Sequence, residues 1–166
     1  RPELAVEDEQ TAYWFAMGRE VGRVARSLEP GGVLIGGGGE ISVDEEDLSQ
    51  LLQAKAAVTA GIRIALRRFG LRCRDLEVCY LAGAFGRYLS LESASAIGLV
   101  PRLEPDTFRR LGNSSIEGAV LALLSVSARA GLERTVGKII HLELESEPDF
   151  FELYTEGCLL EAIPDA

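Results

Sequence analysis

Apolar positions recur at two different spacings along this chain, and the change from one to the other marks its elements. From Asp44 the spacing is helical: Leu48, Leu51, Leu52, Val58, Ile62, Ala65, Leu66 and Phe69 fall on one face of DEEDLSQLLQAKAAVTAGIRIALRRFG. Asp44 can cap that helix, acidic residues crowd its first turn, and Arg67 and Arg68 stand in its last, each sign where the helix dipole favours it. Lys55 lies on the same face, midway between Leu48 and Ile62. A lysine there either snorkels to the edge or points into a cleft, toward an anion or a hydrogen-bond acceptor.

Further along, the pattern alternates between short apolar runs and helical stretches. CRDLEVCYLAG predicts a strand, and SLESASAIGLVP a short helix stopped by Gly98 and Pro101. In DTFRRLGNSSIEGAVLALLSVSARAG, Asn113 to Ser115 are capping candidates for a helix through Ala119, Leu121, Ala122, Leu124 and Ala128. KIIHLELES predicts a strand, and EPDFFELYTEGCLL a final helix. Before Asp44, GGVLIGGGGEISV predicts a hairpin with a loose four-glycine connection, Gly36 to Gly39; no Gly-Lys-Ser/Thr follows, so it is not a P-loop. The N-terminal stretch has two readings: RPELAV and TAYWFAM as the arms of a hairpin, or a helix through Trp14, Met17, Val21, Val24 and Leu28. Strands and helices in alternation indicate an α/β layer architecture.

Composition narrows the function classes. The 166 residues suit one domain, and 47% hydrophobic with 26% charged is globular. Seventeen basic against 26 acidic residues leave a net charge of −9 with the bases scattered, which argues against nucleic-acid binding. No apolar run approaches the roughly 18 residues a membrane span needs, and RPELAVEDEQ lacks the features of a signal peptide, so a cytoplasmic location is expected. Cys73, Cys79 and Cys158 form no C-x-x-C pair, so neither a zinc site nor an iron–sulfur cluster is built from them, and reduced thiols are expected. His141 alternates with Ile140 and Leu142 and reads as an exposed strand position, not a base. No nucleophile has a convincing partner, so no catalytic residue is assigned.

One stretch departs from ordinary strand endings. VCYLAGAFGRYLS starts as a buried strand and then loses nearly all side-chain bulk at Ala82, Gly83, Ala84 and Gly86. Bare backbone of this kind admits either another part of the protein or a flat ligand such as a nucleoside.

Four segments in register carry a resemblance. LLQAKAAVTAGIRIALRRFGL, VCYLAGAFGRYLSLESASAIGLVP, RRLGNSSIEGAVLALLS and HLELESEPDFFE, over roughly residues 40 to 160, resemble the C-terminal ATPase domain of the reductive activators of corrinoid proteins. Those activators belong to the acetate and sugar kinase, heat-shock chaperone and actin superfamily. The resemblance implies an actin-like (ribonuclease H-like) C-terminal half with long helices on a small mixed sheet. Residues 1–166 would then be one C-terminal half-domain of a longer protein, with 1–43 a lead-in of uncertain role. It implies an adenosine motif at Ala82, Gly83, Ala84 and Phe85, with Gly86 close behind, and places Lys55 and Thr59 beside the nucleotide. GNSSIEGAVLAL resembles the connecting motif, with Gly118, Ala119 and Ala122 as hinge packing.

The superfamily's Asp-x-Gly phosphate turns are absent at strand ends here, as are the four cysteines of the activators' N-terminal plant-type [2Fe–2S] domain. The chain would thus hold half of a site for ATP with Mg, and the [2Fe–2S] cluster would lie in a missing N-terminal part. The implied function is the adenosine side of an ATP-dependent switch that returns the Co(II) corrinoid of a methyltransferase system to Co(I). The corrinoid protein is the implied partner, a homodimer is expected, and the isolated chain is expected to be inactive. A kinase-like small-molecule phosphotransferase and a non-enzymatic docking or dimerisation module are the alternatives.

Overall fold

The computed structural model describes residues 33–34 and 42–165. β1 (Val33–Leu34) and β2 (Ser42–Val43) pair antiparallel, Val33 opposite Val43, as the hairpin expectation requires. Their four-glycine connection and the Trp14–Leu28 stretch lie outside the described residues.

The long helix forms where its charges and cap direct it. In α1 (Glu45–Arg68), Asp44 Oδ1 accepts from the amides of Glu46 at 2.9 Å and Asp47 at 3.0 Å, while Asp47 Oδ2 accepts from the Asp44 amide at 3.1 Å. This reciprocal capping box satisfies donors that the first turn would otherwise leave unpaired. The buried stripe is Leu48, Leu52, Lys55, Ala56, Thr59, Ala60 and Ile64. It is rotated from the predicted face, since Leu51, Val58 and Phe69 are exposed. The cause is small side chains: Ala56 and Ala60 let the last helix, α6 (Phe150–Gly157), approach along that line. Gly157 sits so close that an added Cβ would lie 2.9 Å from Ala56 Cα. Leu48, Leu52, Ala56 and Cys158 pack with Phe151, Tyr154 and Leu160, and Ala60, Ile64 and Leu153 pack with Leu144 and Phe150. Arg63 with Glu156, Arg67 with Asp149 and Arg68 with Glu147 tie the rim of this helix pair.

A second core lies under a parallel strand pair. β3 (Cys79–Ala82) and β4 (Phe108–Gly112) run side by side, Cys79 opposite Phe108 and Ala82 opposite Gly112, with an irregularity after Leu81. Two short helices cross between them, α2 (Gly83–Tyr88) and α3 (Leu91–Ala96), the latter capped by Ser90. Ala94, Val100 and Phe108 are buried there among Cys79, Leu81, Leu89, Leu91, Leu99 and Leu103. β4 leads into α4 (Ser114–Leu124) and α5 (Val126–Val136).

Three expectations change. The single helix predicted after Asn113 is two, because Ser125 leaves helical geometry at φ −136° and its side chain caps α5 through the Ala128 amide at 3.2 Å. KIIHLELES is not a strand: no neighbour among the described residues supplies a ladder, and Leu144 instead turns in a short 3-10 segment onto α1, 3.4 Å from a Cβ built at Gly61. His141 is exposed, on irregular backbone. β4 lies within DTFRRLG, where the exposed Arg109 and Arg110 conceal a strand pattern. Among the described residues no helix is long and apolar enough to cross a membrane.

Candidate functional site

Parallel strands leave their carboxyl ends as the natural place for a ligand, because the loops diverge there and the backbone is accessible. Here β3 and β4 end side by side at Ala82 and Gly112, and each is followed at once by a helix. Asn113 caps α4 by accepting from the Ile116 amide at 3.3 Å. At the other strand end Ala82 offers no side-chain cap, and the chain turns at Gly83 with φ +88°. A residue with a Cβ is strained in that region by about 1–2 kcal/mol, which is why glycine stands there.

The bare stretch proves to be two things. A Cβ built at Gly83 meets nothing within 4 Å, and Ala82, Ala84 and Phe85 are exposed, Phe85 at 74%. Gly86 is buried, its built Cβ 3.4 Å from Leu81 Cβ and 3.6 Å from the Leu81 carbonyl carbon. Gly86 is therefore small so that α2 can fold back on β3, whereas Ala82 to Ala84 leave space that no described residue fills.

Lys55 and Thr59 gather elsewhere. Lys55 is 2% exposed, and its Nζ donates to the carbonyls of Gly157 at 2.8 Å and Leu159 at 2.5 Å. Thr59 Oγ1 lies 2.9 Å from Lys55 O and 2.8 Å from Gly98 O, so its one proton serves either carbonyl. Gly98 closes the knot: at φ +74° its built Cβ would fall 2.0 Å from Glu161 O. The lysine on the apolar stripe thus takes the second of its two sequence readings, with backbone carbonyls as the acceptors, and it joins the middle of α1 to the end of α6. Beside it, burial raises the Cys158 thiol to about 11, the Lys55 charge opposing that shift. A thiol so held is neutral and unreactive near neutral pH.

Of the hairpin of α4 and α5, α4 is apolar beyond its first turn, while α5 carries Arg129, Glu133 and Arg134. Leu123, Leu124 and Val126 are each more than three-quarters exposed. Of the expected hinge residues, Gly118 and Ala122 are half-buried and Ala119 is exposed. Gly118, Ala128 and Gly131 help line a groove of about 480 Å³ between the two helices, with Arg134 and Lys138 on its border.

Sequence reasoning missed Arg110. From the middle of β4 it reaches the carbonyls of Gly86, Arg87 and Leu89. Nothing local in DTFRRLG signals that contact, which exists only because β4 lies next to β3.

Nor do the described residues gather three His, Cys, Asp or Glu side chains where they could hold a metal ion, so no iron–sulfur or magnesium ligand set is assigned to them.

Comparison with known proteins gives the family. Residues 31–164 match the family described as the C-terminal domain of RACo, the ASKHA domain. The corrinoid activation enzyme RamQ of Eubacterium limosum is 36% identical over 118 residues, covering 70% of this chain and 20% of that protein. A [Co(II) methylated amine-specific corrinoid protein] reductase of Methanosarcina barkeri is 29% identical over 143 residues, 84% of this chain and 26% of its own length. A solved reductive activator for a corrinoid, iron–sulfur protein superposes with a TM-score of 0.70 at 33% identity, covering 77% of this chain and 20% of that one. The chain thus spans a fifth to a quarter of the length of these relatives. With this match, the paired parallel strands and the long helices carry the α/β fold of the acetate and sugar kinase, heat-shock chaperone and actin superfamily, and the chain belongs to the C-terminal ASKHA domains of RACo-type reductive corrinoid activators.

Proposed function

We propose that this domain supplies the adenosine side of an ATP-binding cleft, within a longer polypeptide that uses ATP to drive the return of a methyltransferase system's corrinoid from Co(II) to Co(I). One observation carries the reading: the space in front of Gly83, at the carboxyl end of β3, is open and flanked by exposed Ala82 and Ala84. The relatives' names, which speak of corrinoid activation and of Co(II) corrinoid reduction, support the choice of reaction. Ala82, Gly83, Ala84 and Phe85 face the nucleoside, and Gly86 holds the turn to its strand. Lys55 and Thr59, which the resemblance puts beside the nucleotide, are held by backbone carbonyls, so Lys55 would reach a ribose oxygen only by exchanging the Gly157 or Leu159 carbonyl for it.

The residues of the turn fit a nucleoside, since small side chains on exposed backbone leave room for a flat ring. Phosphates and Mg²⁺ belong to the other half of the cleft, and a [2Fe–2S] cluster elsewhere in the polypeptide would supply the single electron that cobalt takes up. A nucleotide that touches both halves favours the closed arrangement by its differential affinity, and hydrolysis removes the phosphate contacts that held it. In this reading the exposed Leu123, Leu124 and Val126 of the α4–α5 hairpin pack against the rest of the polypeptide at the hinge, and the partners are a corrinoid protein and a second copy of the chain. Exposed apolar area of that kind supports contact with protein.

The test adds bulk where the space is open. In the intact polypeptide, Ala84→Val is expected to keep the melting temperature within a few degrees, because its side chain enters no packed interior. ATP affinity, read by calorimetry, should fall at least about tenfold, equivalent to about 1.4 kcal/mol. A large loss of stability with normal ATP affinity would assign the bare turn to internal packing.

A further inference from the structure

The nucleoside turn is held from outside itself. α2 is six residues long and has no side-chain cap at its start, so neither its length nor its own side chains fix it. Its far end is gripped instead. Arg110 Nη1 donates to the carbonyls of Gly86 and Arg87, the latter at 2.9 Å, and Nη2 donates to the Leu89 carbonyl at 2.7 Å. These carbonyls stand where the helix runs out of internal donors, at its negative end, and a planar guanidinium answers several of them at once.

The grip has two parts. Arg110 is opposite Leu81 in the strand register, and Leu81 is the residue against which Gly86 rests. The helix end therefore rests on Leu81 at Gly86 and is also tied by the Arg110 fork. Its neighbour in sequence does something different: Arg109 Nη1 turns back to the carbonyls of Asp106 and Phe108 in its own segment. The two adjacent arginines separate charge from position.

We propose that Arg110 is a positioning residue for the nucleoside turn, holding Gly83–Tyr88 against β4 so that the space before Gly83 stays open. The claim that this serves binding rests on the adenosine reading above; the claim that Arg110 fixes the turn does not. Arg110 does not touch the ligand, since its donors face backbone carbonyls. It lies on an exposed stretch of β4, so its loss should loosen the turn without unfolding the second core.

The experiment compares Arg110→Met, Arg110→Lys and Arg109→Met in the intact polypeptide, by amide hydrogen exchange resolved to short peptides and by ATP calorimetry. Arg110→Met is expected to speed exchange across residues 84–89 by about tenfold or more while exchange in α1 and α6 stays as it was, and to weaken ATP binding by about tenfold. Arg110→Lys should fall between the two, because an ammonium reaches fewer of the carbonyls, and Arg109→Met should change neither readout. Unchanged exchange over 84–89 in Arg110→Met overturns the proposal whatever ATP does. Acceleration spread evenly over the domain also overturns it, by making Arg110 a general structural residue. Faster exchange in the turn with unchanged ATP affinity in a polypeptide that binds ATP overturns the service to binding. A wild-type polypeptide that binds no ATP sinks the adenosine reading, and the exchange result then decides alone whether Arg110 fixes the turn.

Discussion

Gly98→Ala is expected to unfold this domain or cost it more than about 3 kcal/mol, although the substitution adds one methyl group. Two effects act together. The backbone there sits at φ +74°, where a Cβ is strained, and the new atom would lie 2.0 Å from Glu161 O and 3.2 Å from Lys55 Nζ. A backbone oxygen cannot rotate away, so the segment after α6 has to move, and with it the carbonyl that Lys55 holds at Leu159. Thermal melting of the intact polypeptide and hydrogen exchange of residues 155–165 measure the effect. A melting temperature within a degree or two of wild type would show that this close approach does not exist.

Lys55→Met should rank next. Methionine keeps most of the buried stem and removes only the donor, so the change reads the polar contacts apart from packing. The Gly157 and Leu159 carbonyls would then lose the ammonium in the interior beside Leu52, Ala56 and Cys158. At about 1–3 kcal/mol for a buried group left without its partner, and less for the part-buried Leu159 carbonyl, a loss of about 2–4 kcal/mol is expected. Chemical denaturation followed at α1 and α6 would measure it. Unchanged stability together with a large fall in ATP affinity would mean that Lys55 spends its charge on the nucleotide and not on the carbonyls.

Lys55 also shows how far sequence carries. Its place on an apolar stripe was legible from helical spacing, but that spacing left both snorkelling and burial open. Its partners were not legible, since Gly157 and Leu159 lie a hundred residues away and present only backbone. The cap and charge pattern of α1 located its start directly, but the face was misjudged because Ala56 and Ala60 look unremarkable until α6 packs onto them. β4 stayed hidden behind Arg109 and Arg110, whose charges mask a strand that buries only Phe108 fully. The opposite error occurred at KIIHLELES, where apolar alternation suggested a strand but Leu144 found its burial on a helix.

At the site, composition alone marked the bare turn. It could not divide it, because Gly83 and Gly86 are the same residue doing different things. One admits a positive φ beside open space; the other lets α2 lie on Leu81. The family resemblance supplied the proposal that a nucleoside sits there, while the distances around Gly86 and Arg110 required the folded strand pair.

The position of the adenine ring decides whether the bare turn holds the nucleoside. Photolabelling the intact polypeptide with an azido-adenosine nucleotide, with excess ATP as competitor and peptide mapping by mass spectrometry, measures this directly. ATP-competed labelling within residues 82–88 is the predicted result. ATP-competed labelling confined to other parts of the polypeptide, with none in 82–88, would contradict the assignment of the turn to the nucleoside.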